Sequence, residues 1–283
     1  MNHVIDQIEM IQEATVFADV DTYMSLANSY EKMLMMYQEA EMPEQLENMI
    51  PNSKYGDFLK KVYDFVTQLI EKIFATIDSI KLNSRYKKFK KLHPGYDDDY
   101  VYSPMDSRTL HAIGKEFSKD GKLYQILTDI NTHIDNHKGM NVLSSELQRD
   151  VDHLKMKIDE MHKCRMEISD HQSPYRDISA RKVDAPVVAD FLVNFMSGNE
   201  AVKRRLNGIK KQIRKIRIAE TKEHITGDTD TVYMRKEDIN LVMKILSETY
   251  RLYAETTFVV NRMIDLVIEI TERKLKREKG NQS

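Results

Sequence analysis

Ile239, Met243, Leu246, Tyr250, Tyr253, Thr257, Val260, Ile264 and Val267 alternate spacings of four and three without interruption. A strand, with its period of two, cannot produce that series, so the run predicts one long coiled-coil-like helix over 239–267. A helix that long cannot leave its seam in water, and other helices must cover it. The fold class expected is therefore all-α, an elongated multi-helix bundle ending in this C-terminal helix. Composition agrees: the 283 residues include only nine Gly and six Pro and no Trp, while straight-chain, helix-tolerant residues dominate. With 31% charged residues and a mean hydropathy of −0.55, long helices with much exposed surface fit better than a thick enzyme core.

Other segments repeat the pattern. Residues 3–40 read as helix, with Tyr23, Leu26, Tyr30, Met33 and Tyr37 on one stripe, and Pro43 and Pro51 mark a linker. Leu59, Val62, Val66, Leu69, Ile73, Ile77 and Ile80 form a core seam on a helix that runs on into KLNSRYKKFKKLHPG at 81–95. YDDDYVYSP reads as a loop, and helical spacing resumes near Ser107, pauses at Asp120-Gly121 and continues to Gly139, a natural C-cap. Ser145 with Gln148 suggests a capping box ahead of the stripe Leu147, Val151, Leu154, Ile158 and Met161. Residues 169–186 read as a linker loop. A short apolar helix (Val187 to Phe195) is expected to close at Ser197-Gly198, and HITGDTDTVYM near Gly227 reads as a loop or short strand pair. The domains expected are an acidic N-terminal helical segment (1–50), a helical bundle (51–168), the linker (169–186) and a basic helix with the long C-terminal helix (187–283).

Several chemistries are disfavoured. Cys164 is the single cysteine, so neither an intramolecular disulfide nor a multi-cysteine zinc site can form. The N-terminal residues lack the charge and apolar core of a secretory signal, and no apolar run is long enough to span a membrane. The chain thus reads as soluble, with no membrane partner. Glycine-rich phosphate cradles are missing, which argues against nucleotide-driven catalysis, and no cofactor is expected. His133 and His137 lie one turn apart and could face one metal ion, but two ligands without a base do not make a metallohydrolase, and a polar helix face explains them as well. Asp152, His153, His162 and Cys164 fall on different turns, and Asp97-Asp98-Asp99 reads as a solvated loop. No catalytic residue and no metal site are assigned.

Charge is the stronger signal. Residues 1–50 hold ten acids against Lys32 alone, a net of −9, which leaves +7 on residues 51–283. Residues 203–217, KRRLNGIKKQIRKIR, carry eight basic residues (Lys203, Arg204, Arg205, Lys210, Lys211, Arg214, Lys215 and Arg217) and no acid. Leu206, Ile209, Ile213 and Ile216 give this segment an apolar stripe, so it can dock on the body and still present charge. Residues 81–91 add Lys81, Arg85, Lys87, Lys88, Lys90 and Lys91, and the tail adds Arg273, Lys274, Lys276, Arg277 and Lys279. Such surfaces suit the phosphates of double-stranded DNA, with salt-sensitive affinity. The same charge also fits solvated helix faces, or a complement to the chain's own acidic first fifty residues.

Within the acidic head, Ile11-Gln12-Glu13 followed by Ala14 resembles the site cut by prohead proteases of T-even-like and other large tailed phages, where Leu or Ile, any residue and Glu precede a small residue. Tyr37-Gln38-Glu39 before Ala40 is a weaker variant. The segment EATVFADVDTYMSLANSYEKMLMMYQEAE is similar in style to the openings of internal head or virion structural proteins of such phages, across about the N-terminal third. The resemblance implies a propeptide over 1–13 cut between Glu13 and Ala14. It also implies a non-enzymatic virion structural protein inside the capsid, present in host cytoplasm during assembly, with head proteins and packaged DNA as partners. Removing 1–13 would take away three acids and shift the formal charge from −2 to +1. The alternative is a helical scaffold or adaptor that forms a homo-oligomer through residues 239–267.

Overall fold

The structure is a computed structural model that describes residues 52–93, 100–135, 143–169, 181–218, 232–234 and 236–280. The expected helix over 3–40, the Pro43–Pro51 linker and the Glu13-Ala14 site lie outside the described residues. Val62–Ser283 form one compact unit and Met1–Lys61 another. The chain is predominantly all-α, with seven α-helices among the described residues: α1 (Asn52–Ser79), α2 (Leu82–Leu92), α3 (Ser107–Glu116), α4 (Lys122–Asp135), α5 (Leu143–Ser169), α6 (Ala185–Gln212) and α7 (Lys236–Gly280). Two short strand pairs interrupt them. β1 (Tyr100–Ser103) pairs antiparallel with β2 (Arg181–Asp184), and β3 (Ile216–Ile218) pairs parallel with β4 (Val232–Met234).

The period-3.5 seam forms as expected, at 45 residues the longest helix described. All nine of its apolar positions from Ile239 to Val267 are buried. α5 packs extensively along α7, and its stripe Leu147, Val151, Leu154, Ile158 and Met161 is buried. The seam is thus covered within the chain.

Several boundaries differ from the sequence expectation, most of them for a tertiary reason. The helix expected to run from 59 through 91 breaks at Lys81, which takes the left-handed backbone conformation (φ 49°, ψ 35°). The restart is held by Arg85, whose Nη1 donates to the Ile80 carbonyl at 2.6 Å and so satisfies one of the acceptors α1 leaves at its end. It also redirects α2 so that Phe89 is buried, worth about 1.5–3 kcal/mol. At Ser145-Gln148 the expected capping box is not the helix start, because α5 is already helical from Leu143. There the Ser145 carbonyl accepts from Arg149 and the Gln148 amide bonds Asp152 at 3.0 Å.

The third difference is at Ser197-Gly198, where α6 continues for 28 residues instead of closing. Gly198 is a contact residue: a Cβ placed there would lie 1.5 Å from the Phe117 carbonyl oxygen, at the end of α3. Only a bare backbone lets the two segments cross this closely. Around the crossing, Phe117 meets Phe195 at 4.9 Å and Tyr253 edge-on at 5.3 Å, and the Tyr253 hydroxyl donates to Asn199 Oδ1 at 3.1 Å. This buried aromatic cluster joins α3, α6 and α7.

The linker expected at 169–186 is narrower: β2 begins at Arg181 and α6 at Ala185, with Pro186 in the first turn, where its missing N–H costs nothing. Tyr100–Ser103 of the expected aspartate-rich loop are its partner strand. α6 packs on α3 and α4 within the compact unit Val62–Ser283. The Ser107 start is as expected, with Asp106 as N-cap accepting from Thr109 N at 2.8 Å. The Asp120-Gly121 break also forms, and a Cβ on Gly121 would meet the Glu116 carbonyl at 2.2 Å.

Candidate nucleic-acid interface

The eight basic residues of 203–217 divide by helix face. Lys203 pairs with Asp78, Lys210 with Glu71 at 2.8 Å, and Arg214 donates from Nε to the Tyr63 hydroxyl at 2.7 Å with its guanidinium 4.8 Å from the ring centre. The three partners descend along α1 as the cations ascend from Lys203 and Lys210 on α6 to Arg214 in the 3-10 turn at 213–215 that follows it, so α1 and α6 run antiparallel with one rung every turn or two. Arg205 points elsewhere and donates to the Tyr124 hydroxyl of α4 at 2.8 and 3.1 Å. Gly208 lets that face of α6 approach Asn131 of α4. Four of the eight basic residues of 203–217 therefore fasten this segment to α1 and α4. Lys215 also has a partner, and the Arg217 side chain lies outside the described residues.

Arg204 and Lys211, seven positions apart, are exposed and make no ion pair among the described residues. The Tyr63 phenol is held below its usual value chiefly by the hydrogen bond from Arg214. The ring is half-buried, and the contact ties Arg214 to α1 locally. The Lys203 and Lys210 pairs are also partly in water, and each contributes about 0.2–1 kcal/mol. Lys203→Gln with Lys210→Gln should lower the urea midpoint slightly, and less so in high salt. A loss as large as a core truncation would show that these rungs carry more than surface pairs do.

α2 is arranged differently. Arg85 makes a two-pronged contact with Asp265 of α7, at 3.1 and 2.9 Å, and Lys88 pairs with Glu272 at 3.2 Å. Leu82 and Phe89 are buried on that side. Lys87, Lys90 and Lys91 project from the opposite face into water, with no ion pair among the described residues, and Lys81 is exposed at the α1–α2 corner. α7 stays helical past Glu272 to Gly280. Arg273 itself pairs with Glu269.

The sequence analysis missed the acids and tyrosines that bind α6. A signal was available: Glu71 and Asp78 lie seven apart on α1, as do Lys203 and Lys210 on α6, which is the spacing of two rungs on facing helices. The histidines do not assemble into a site. His153 Nε2 lies 3.0 Å from Glu116 Oε1 and His162 Nδ1 lies 3.8 Å from Glu255, on separate faces of α5. The His133 side chain and His137 are outside the described residues. Among the described residues no three His, Cys, Asp or Glu side chains come together as metal ligands. Cys164 lines a cavity of about 280 Å³ with Phe117 and Met161, and burial pushes its thiol up. Among the described residues no helix is long and apolar enough to cross a membrane.

Comparison with protein-family models, curated proteins and solved structures finds no match to this chain.

Proposed function

We propose that this chain is a non-enzymatic structural protein of a large tailed phage virion, held inside the capsid, where basic helix faces contact packaged double-stranded DNA or neighbouring head proteins. The observation that carries the reading is the Ile11-Gln12-Glu13-Ala14 motif in an acidic head attached to a body of charge +7. Cutting there removes Asp6, Glu9 and Glu13 and turns the formal charge from −2 to +1, the direction that contact with phosphate requires. The exposed lysines of α2 and the exposed Arg204 and Lys211 of α6 support it as surfaces available to a polyanion.

Mass spectrometry of purified particles tests the proposal. The chain should be present in the virion and begin at Ala14. Its absence from particles would end the virion assignment, and a mature chain that still begins at Met1 would end the propeptide part alone.

A further inference from the structure

Within the DNA-contact reading above, on which this inference rests, we infer that the phosphate-contacting surface is the outer face of α2, carried by Lys87, Lys90 and Lys91, and that the basic segment 203–217 is mainly an internal clamp. On a helix of 3.6 residues per turn, these three lysines fall within a sector of about 100°. Arg85 and Phe89 lie on the other side of that helix and fix it, through the two-pronged Asp265 contact and burial, to the body. Lys87, Lys90 and Lys91 are therefore held on a rigid support while their ammonium groups remain in water, unpaired among the described residues. In 203–217 four of the eight cations are engaged by Asp78, Glu71, Tyr63 and Tyr124. Those four would have to give up existing contacts to reach a phosphate.

Residue type points to the same ligand. A lysine ammonium is a compact charge with freely turning donors, suited to phosphates met in any register, whereas a guanidinium favours fixed, planar partners. Arg85, Arg205 and Arg214 are each committed to such a fixed partner within the chain. The face has no buried-polar pocket or base-reading fork, so it recognises a sequence-independent line of charge such as a DNA duplex backbone. Its large apolar side chains, Leu82 and Phe89, are turned inward, so it has no wedge to insert in a bilayer.

The test uses the full chain, so that the acidic segments at 1–50 and 97–99 contribute as they do natively. Binding to a mixed-sequence DNA duplex is titrated against salt for the parent, for Lys87→Gln/Lys90→Gln/Lys91→Gln, and for Lys203→Gln/Lys210→Gln. Three lost phosphate contacts should flatten the log–log slope by about 2.7, so that the affinity lost between about 50 and about 200 mM salt shrinks roughly 40-fold. The α6 variant should keep the parent slope. Circular dichroism, with an unchanged melting midpoint for the α2 variant, would separate a binding effect from a folding one. A steep parent slope that the α2 variant retains would overturn this assignment and leave DNA contact standing elsewhere. A flat or absent parent response would overturn both the assignment and the DNA arm of the proposed function. Binding that is lost equally for anionic vesicles and for DNA in the α2 variant would show a general polyanion surface and overturn the choice of DNA.

Discussion

Gly198→Ala should destabilise the chain by about 3 kcal/mol, a fall in melting midpoint of about 6–12 °C. The new methyl group would lie 1.5 Å from the Phe117 carbonyl oxygen, and the neighbouring atoms are backbone, which cannot rotate away. Relief requires α6 to move off the end of α3, which would open the contacts among Phe117, Phe195 and Tyr253. The intrinsic helix preference of Ala over Gly, about 1 kcal/mol, works in the opposite direction and offsets only part of this. Gly208→Ala is the matched control ten residues along the same helix. Its nearest neighbour is Asn131 Oδ1 at 2.7 Å, the end of a side chain that can turn, so its net effect should stay within about 1 kcal/mol. Equal melting of the two variants would mean that α6 does not cross Phe117 at Gly198.

Tyr253→Phe should cost about 1–3 kcal/mol near neutral pH, because Asn199 Oδ1 loses the hydroxyl that donates to it in a buried site. The variant should also change the alkaline limb of the stability curve. Burial pushes the Tyr253 phenol far above its ordinary 10.0, so the folded chain keeps a proton that the unfolded chain releases. The unfolded state then binds fewer protons as pH rises, and stability falls. The contribution of this residue is fully present below about pH 10 and declines above it by about 1.4 kcal/mol per pH unit. Cys164 acts in the same direction from a lower starting value of 9.0, since burial raises its thiol as well. Denaturant midpoints between about pH 8 and about pH 11 should therefore show the parent and Tyr253→Phe curves converging at high pH. Parallel curves would show that the phenol ionises as freely in the folded protein as in the unfolded one.

How much could be read from the sequence depends on the kind of information each feature needs. The α7 seam was legible over its full length because helix period is a local property, and so were the stripes of α1 and α5 and the Asp106–Ser107 start of α3. Where a residue's role is set by something distant in the chain, the reading went astray. Gly198 has the composition signature of a helix end, yet it marks a crossing with Phe117, eighty-one positions earlier. Lys81 has no signal for a left-handed turn, and the break there follows from Arg85 and Phe89 reaching α7 and the core. Tyr100–Ser103 and Arg181–Asp184 are too short to be recognised as strands separately, because each is stabilised by the other.

The candidate site shows the same division. By number of cations 203–217 leads 81–91, eight to six, but a sequence counts cations without showing which are paired. Long-range pairing inverts the ranking: Lys203, Lys210, Arg205 and Arg214 hold helices together, and the shorter α2 leaves Lys87, Lys90 and Lys91 in water.

The sequence by itself determined that this chain is helical, where its longest seam lies and how its charge is divided between an acidic head and a basic body. These follow from periodicity and composition, which are complete in the primary structure. Only the tertiary structure decided that α5 covers the seam, that a glycine lets α6 cross α3, and which cations meet an internal partner. Each of those depends on the distance between residues far apart in the chain, and that distance exists only once the helices have packed.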